Sequence, residues 1–156
     1  MSRTNFENLR VYQLSEELAD SIWEIASGWD YFNRDTVGKQ IVRSADSVGA
    51  NIAEGTGRYG IQDNKRFGYI ARGSLNETKH WLRRAFKRDL LKEADVQKLK
   101  PILDELSPKL NAYINSIKKL DSFIVRSLSE EVFWQRTTNH EPPTKYEIRS
   151  CSISRF

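Results

Sequence analysis

The chain has little cysteine and no long apolar run, and each shortage excludes a class of protein. Its 156 residues include one cysteine, Cys151, which excludes an internal disulfide and is typical of proteins from a reducing compartment. No apolar stretch reaches the length of a membrane span, and no charged-then-apolar segment of the secretory type opens the sequence. We therefore expect a cytoplasmic protein without a membrane partner.

Histidine is equally scarce, with only His80 and His140 in the chain. Glu77 and His80 have the spacing of a di-iron ligand pair on a helix, but a complete site needs a second such pair and two further carboxylates. His80 is therefore interpreted as an ordinary helix-face residue, and Cys151 has no fixed histidine neighbour to activate it. The sequence also lacks metal-binding cysteine clusters, a phosphate-binding lysine loop and a nucleophile elbow. We predict a protein that is not an enzyme, with no catalytic residues, metal or cofactor.

Charge is unevenly distributed, although the formal net charge is only +4. Residues 1–35 carry three basic and seven acidic side chains, whereas residues 58–92 carry ten basic and three acidic ones. A polarised surface of this kind favours either self-assembly or a polyanionic partner.

Hydrophobic periodicity predicts four helices and no strand. They cover about residues 6–29, 36 to 55 or 57, 63–91 and a final segment with a sustained heptad seam. The seam consists of Leu99, Leu103, Leu106, Leu110, Tyr113, Ile117, Leu120 and Ile124. Thr36 is the predicted N-cap of the second helix. Because the connections are short, the fold predicted for residues 1–128 is an all-α, antiparallel up-down-up-down four-helix bundle.

Prolines divide the last third of the chain. Pro101 and Pro108 predict a bend in the fourth helix, or a helix whose regular part begins near Pro101. Pro142-Pro143 and the lack of a sustained period predict a tail at residues 129–156. We expect this tail to be irregular, or docked on the bundle or a neighbouring subunit.

Glycines of the pattern Gly55-x-Gly57-x-x-Gly60 imitate a dinucleotide-binding loop, but a helix, not a strand, precedes them. Gly55 or Gly57 is instead predicted to end the second helix in a left-handed conformation. Counting back from this turn places Val48 near Ala71, and Arg43 near Glu77 in a partly buried ionic cluster.

Small residues line the two helices beside this turn: Gly49, Ala50, Ala53, Gly68, Ala71 and Gly73. We favour tight packing within one subunit, with Gly49, Gly68 and Gly73 as close-packing positions. Contact with another subunit or a ligand is the alternative.

Basic residues of the third helix form a ridge: Arg72, Lys79, Arg83 and Lys87, with Arg84 and Arg88 beside them. These six are the candidate nucleic-acid-binding residues, and Trp81 and Phe86 are interleaved with them. The basic side chains could contact phosphates, and an exposed aromatic side chain could stack on unpaired nucleotides. Two alternatives are a merely solvated face with Trp81 in the core, and a contact with the acidic first helix of a neighbouring subunit.

Two blocks of sequence resemble a known family. The first runs from Ile41 to Arg58 and includes Arg43, Asn51, Glu54, Gly55 and Gly57; the second runs from Tyr69 to Glu77 and includes Gly73. With the opening Phe6–Tyr12, they are similar to the four-helix-bundle proteins encoded within intervening sequences of bacterial 23S rRNA genes.

The resemblance implies a homopentamer without enzymatic activity. A related branch, the accessory variability determinants of diversity-generating retroelements, binds RNA and a reverse transcriptase. The first hypothesis is therefore an oligomeric RNA- or DNA-binding accessory protein, acting alone or with such a reverse transcriptase. The alternative is a protein-interaction scaffold with no nucleic-acid role, which uses its C-terminal tail.

Overall fold

Helices make up nearly all of the computed structural model, which describes residues 6–138. The elements are a 3₁₀ turn (Phe6–Asn8), α1 (Arg10–Ser27), α2 (Tyr31–Asn33), a π-helical turn (Arg34–Gly38), α3 (Lys39–Gly57), α4 (Ile61–Lys87) and α5 (Glu93–Thr138). No residue in the described range lies in a β-strand, so the all-α prediction is confirmed for that range. None of these helices is long and apolar enough to cross a membrane.

The apolar stripes of the four long helices meet in one core. Its members include Leu14, Leu18 and Ile22 of α1, Ile41, Val48 and Ile52 of α3, Ala71, Leu75 and Leu82 of α4, and Leu99, Leu106, Leu110 and Ile114 of α5. Full burial of one such leucine or isoleucine stabilises the fold by about 1.5–3 kcal/mol. The period of the third predicted helix places Ile70 inward, but Ile70 is exposed, and so are the last two seam positions, Leu120 and Ile124.

The second predicted helix begins earlier than Thr36. Asp30 is the N-cap, because its Oδ1 accepts a hydrogen bond of 3.1 Å from the backbone N–H of Asn33. Thr36 lies inside the π-helical turn and donates to the carbonyl of Phe32 at 2.7 Å. The cap thus lies at Asp30, three residues after the end of α1, and not at Thr36.

The turn between α3 and α4 contains no left-handed glycine. Helix α3 includes Gly55 and ends at Gly57, neither of which has a positive φ, and the backbone of the next residue, Arg58, is extended. The predicted left-handed cap is therefore wrong. Within the described range a positive φ occurs at Asp89, between α4 and α5, where a short polar side chain tolerates this conformation.

Helix α5 is longer than the sequence predicted at both ends. It begins at Glu93 and passes through Pro101 and Pro108, both exposed, so of the two alternatives the one with a regular part that begins near Pro101 is wrong. It also passes the predicted boundary at residue 128 and continues to Thr138, because no glycine or proline occurs between Lys109 and Glu141. Residues up to Lys118 form one compact unit and those from Lys119 a second. The tail prediction for residues 139–156 lies outside the described residues.

Tyr12 provides a pH test of the packing at α1. Burial, followed by a hydrogen bond with Glu16, raises the pKa of Tyr12 from 10.0 to about 12. The folded state thus favours the neutral phenol, and this stabilisation is complete below pH 10 and lost as the pH rises towards 12. In urea unfolding at a series of pH values, Tyr12→Phe should flatten the alkaline decline in the free energy of unfolding. The exposed Tyr31→Phe should not, and an equal effect of both variants would contradict the assignment.

Candidate nucleic-acid interface

The six predicted basic residues lie on α4 and at its end, and we call them the basic ridge. Arg72, Arg83, Lys87 and Arg88 are exposed, while Lys79 and Arg84 are half-buried. Among residues 6–127, whose side chains the structure describes, no acidic group pairs with Arg83, Arg84, Lys87 or Arg88. The C-terminal half of the ridge therefore carries positive charge that this part of the chain does not neutralise.

The other two members of the ridge have partners within the fold. The guanidinium of Arg72 lies over the ring of Tyr69, with Cζ 5.0 Å from the ring centroid. Lys79 donates from Nζ to Ser107 Oγ of α5 at 2.7 Å. These contacts hold the two side chains in place but leave their charges unpaired.

A groove of about 780 Å³ separates the end of α4 from the start of α5. Its apolar lining includes Leu82, Phe86, Leu91, Val96, Leu99 and Leu103, and its basic residues are Lys79, Arg83, Lys87 and Lys100. One carboxylate, Asp104, also lines the groove, and it pairs with Lys100 at 3.0 Å. The groove thus combines an apolar floor with an excess of positive charge, which suits a ligand that has both phosphates and flat apolar rings.

Phe86, not Trp81, is the aromatic residue available in this groove. Phe86 is 55% exposed. Trp81 is half-buried against the core, and its Nε1–H donates to Glu77 at 3.5 Å. Helical spacing places both aromatics among the basic residues of the ridge, and the alternative with Trp81 in the core is the one closer to the structure.

A second groove, of about 760 Å³, lies between α1 and α3. Its lining includes Trp23, Arg34, Lys39, Arg43 and Asp46. Burial, and the nearby Asp20, raise the pKa of Asp46 above its ordinary value. Three basic residues and one carboxylate line this groove, against four basic residues and one carboxylate in the groove beside the basic ridge, which is therefore the better anion site.

Hydroxyl side chains set the register of α3 against α4. Ser74 Oγ lies 3.0 Å from Ser47 Oγ, and Thr78 Oγ1 lies 3.1 Å from Ser44 Oγ. The residues pair in opposite order, as the three-residue connection between these helices requires. The register predicted by counting residues from the turn differs from this one by two or three residues, because the turn is not centred at the position that the count assumed.

The glycines of the second and third predicted helices have different roles. A Cβ at Gly49 would lie 2.9 Å from Ser15 Oγ of α1, and one at Gly68 would lie 3.1 Å from Ile114 of α5. Both positions are therefore tight, as predicted, although each faces a helix other than the expected one. A Cβ at Gly73 would meet nothing within 4 Å, so close packing within the chain does not explain that glycine.

Several family-motif residues face outwards. We call the exposed positions beside the serine pair the outer α3–α4 face: Arg43, Ala50 and Glu54 of α3, and Ile70, Gly73 and Glu77 of α4. Arg43 has no ion pair or hydrogen bond with any described residue, so its predicted ionic cluster with Glu77 is wrong. The motif thus marks a surface as well as a packing register.

The remaining motif residues stabilise the end of the α3–α4 hairpin. Asn51 donates from Nδ2 to the carbonyl of Ser47 at 2.6 Å. Arg58 pairs with Glu54 and places its guanidinium 5.0 Å from the ring centroid of Phe67. Their arrangement is structural and offers no chemistry of its own.

Residues that bear on catalysis are dispersed. In the described part of the chain, no three His, Cys, Asp or Glu side chains lie close enough to hold a metal ion. Glu77 and His80 are both exposed on α4. His140 and Cys151 lie outside the described residues.

Comparison with known proteins identifies relatives. The family model described as 23S rRNA-intervening sequence protein matches residues 7–112. A crystal structure of a protein of unknown function from the S23 ribosomal protein family of Bacteroides thetaiotaomicron is similar, with a TM-score of 0.59 and 26% sequence identity. The similarity covers 67% of this chain and 97% of that one. No curated protein matches the chain.

Proposed function

Because the chain belongs to the 23S rRNA-intervening sequence protein family, we propose that it is a non-enzymatic accessory protein that binds RNA as a homopentamer. The observation that carries this proposal is the uncompensated charge of Arg83, Arg84, Lys87 and Arg88 beside an exposed aromatic side chain. Phosphate contacts supply most of the sequence-independent affinity of proteins for nucleic acid.

Unpaired RNA fits the groove better than duplex RNA. In an A-form duplex the bases are stacked inside, so a protein meets mainly phosphates and 2′-hydroxyls. Single strands expose base faces that stack on aromatic side chains, and each such contact contributes about 1–3 kcal/mol. Phe86 and the apolar floor of the groove supply the stacking surface, and Arg83 and Lys87 supply the phosphate contacts.

An antiparallel up-down-up-down bundle is the arrangement that we infer for each subunit. Arg10 pairs with Glu105 at 3.0 Å, and Glu24 pairs with Lys98 at 2.6 Å, so α1 and α5 meet in opposite order. The serine pair between α3 and α4 supports the same arrangement for those helices.

Self-association is supported by the outer α3–α4 face. Its small residues, Ala50 and Gly73, leave room for another backbone, and Ile70 is 41% exposed there. Arg43 and Glu77 supply opposite charges at the same face. Assembly of five subunits around one axis would multiply the charge of the basic ridge and its attraction for a polyanion.

A retroelement reverse transcriptase is the protein partner that we propose by analogy with the related accessory proteins. A reverse-transcriptase gene and a template repeat adjacent to the gene for this chain would support it. A position inside an rRNA operon would instead support the plain family assignment.

Charge reversal on the ridge tests the RNA interface. Arg83→Glu with Lys87→Glu should lower the affinity for an unpaired RNA about 30-fold and reduce the slope of log K against log salt by about 1.4, as expected for two lost phosphate contacts. Fluorescence anisotropy over a salt series measures both quantities. The matched control is Arg34→Glu with Lys39→Glu, which changes the net charge equally at the α1–α3 groove.

An equal loss of RNA affinity in both double variants would show that only the net charge matters, which contradicts a specific site on the ridge. Loss of the oligomer in the ridge variant would show that these basic residues belong to a contact between subunits. Phe86→Ala should weaken the binding of unpaired RNA and leave the binding of duplex RNA unchanged.

A scaffold function is the second candidate, and one observation favours it. Helix α5 continues beyond the family match and exposes apolar side chains at Leu120, Phe123 and Val125. An oligomer that does not bind RNA at any salt concentration would favour this alternative.

A further inference from the structure

The two walls of the groove between α4 and α5 carry different chemical groups. The α4 wall presents cations, of which Arg83 is one, and the exposed ring of Phe86. The α5 wall presents Lys100, Asp104 and Ser107, which share one face of the helix because they are spaced by four and three. A nucleotide whose phosphates contact the α4 wall and whose base stacks on Phe86 therefore turns the edge of its base towards the α5 wall.

One ion pair of the α5 wall keeps hydrogen-bonding groups for a ligand. The hydroxyl of Ser107 is already used, since it accepts from Lys79 Nζ at 2.7 Å and donates to the carbonyl of Leu103 at 2.6 Å. Lys100 Nζ donates to Asp104 Oδ2 at 3.0 Å, and no other described side chain donates to this carboxylate. The two side chains are 71% and 66% exposed, so a ligand in the groove can reach both of them.

This ion pair has little structural value of its own. Exposed pairs of residues four apart on a helix contribute little to stability, so sharing the pair with a ligand costs little. A carboxylate also repels phosphate, so a groove that bound only an RNA backbone would gain nothing from Asp104. Its presence among four cations indicates that the groove also reads a group that donates hydrogen bonds.

Guanine is the base whose edge matches the pair. Its Watson–Crick edge carries one acceptor, O6, followed by two adjacent donors, N1–H and N2–H. A carboxylate accepts two parallel hydrogen bonds, and an ammonium group beside it donates a third. Adenine, cytosine and uracil each present a single donor group on that edge, so none of them engages both carboxylate oxygens.

We propose that the groove between α4 and α5 selects guanine in unpaired RNA, with the base stacked on Phe86 and its Watson–Crick edge bound by Asp104 and Lys100. This inference rests on the proposed function, because it names the base that the same groove receives. In a duplex the edge is already occupied by the paired base, so the contact also favours single strands. One additional hydrogen bond at an exposed site corresponds to about fivefold in affinity.

Short RNAs that differ at one position test the selection in the full chain. Fluorescence anisotropy should show UUGUU binding about fivefold more tightly than UUAUU, UUCUU or UUUUU. Inosine in place of guanosine, which lacks the N2 donor, should bind like the other bases. Asp104→Asn should remove the preference for guanine and raise the affinity for all of these RNAs, because one repulsive charge is lost. Asp20→Asn is the matched control, since it makes the same change of charge at an exposed position of α1 and should keep the preference.

Equal binding of all the RNAs by the native chain would overturn guanine selection, and so would a preference that survives Asp104→Asn. Guanosine monophosphate that binds more tightly than UUGUU would make a free nucleotide the ligand and overturn unpaired RNA as its source. In each of these cases the RNA-binding function itself stands or falls separately, because only a failure to bind every RNA removes it.

Discussion

A Gly73→Trp variant is expected to be a monomer that keeps the helical content of the native chain. The chain itself tolerates the indole, because a Cβ at Gly73 meets nothing within 4 Å and the backbone there is helical without a positive φ. If subunits meet through the outer α3–α4 face, the indole occupies the space that the neighbouring backbone needs. Close-packed interfaces tolerate such an insertion poorly, since they match the packing density of protein interiors.

Light scattering measures the result, with a native mass five times the 18.2 kDa of one chain and a variant mass equal to it. Gly57→Trp is the matched control, because a Cβ at Gly57 is equally free but lies at the end of the hairpin. It should leave the pentamer intact. A pentameric Gly73→Trp protein would show that the subunits meet elsewhere, and a monomeric native chain would remove the homopentamer from the proposed function.

Replacement of Gly55 by valine is expected to lower the free energy of unfolding by about 3 kcal/mol. A Cβ at Gly55 would lie 2.9 Å from both Asn64 Oδ1 and Phe67 Cβ, and 3.3 Å from the carbonyl oxygen of Asn64. Asn64 cannot simply turn away, because its Oδ1 accepts a hydrogen bond of 3.0 Å from the hydroxyl of Tyr113 on α5. The added side chain must therefore push α4 away from α3 or break that bond.

Urea unfolding of the full chain measures the loss. Gly57→Ala provides the contrast, since its Cβ enters open space and removes conformational freedom from the unfolded chain, so it should stabilise by about 0.4–1 kcal/mol. A Gly55→Val protein as stable as the native chain would mean that the helices separate at little cost. The contact would then not determine the packing of the hairpin.

Periodicity predicted the helices well because most of each apolar stripe is buried in one core. It failed at Ile70, Leu120 and Ile124, where an apolar residue at the correct spacing lies on a surface. Spacing along one helix specifies which residues share a face, but not whether another element covers that face. Counting residues from the turn also failed to give the register of α3 against α4. That register depends on the contact between Ser47 and Ser74 in the folded chain.

The candidate site was likewise predicted only in part from the sequence. Arg72, Lys79, Arg83 and Lys87 were predicted as one ridge because helical spacing alone places them together. The groove was not predicted, since its lining comes from α4 and α5, which meet only in the folded chain. Arg43 was assigned a buried partner because its spacing matched Glu77, whereas the folded chain exposes both residues.

The two prolines of α5 have a consequence for hydration. Proline has no backbone N–H, so the carbonyls of Gln97 and Asp104, four residues before Pro101 and Pro108, lose their helical donors. The four residues lie within about one quarter of the helix circumference and are exposed. Water can satisfy these oxygens, and each would be costly to dehydrate without another donor. Covering this side of α5 is therefore costly unless the partner brings a hydrogen-bond donor to each of the two carbonyls, so a purely apolar partner is disfavoured there.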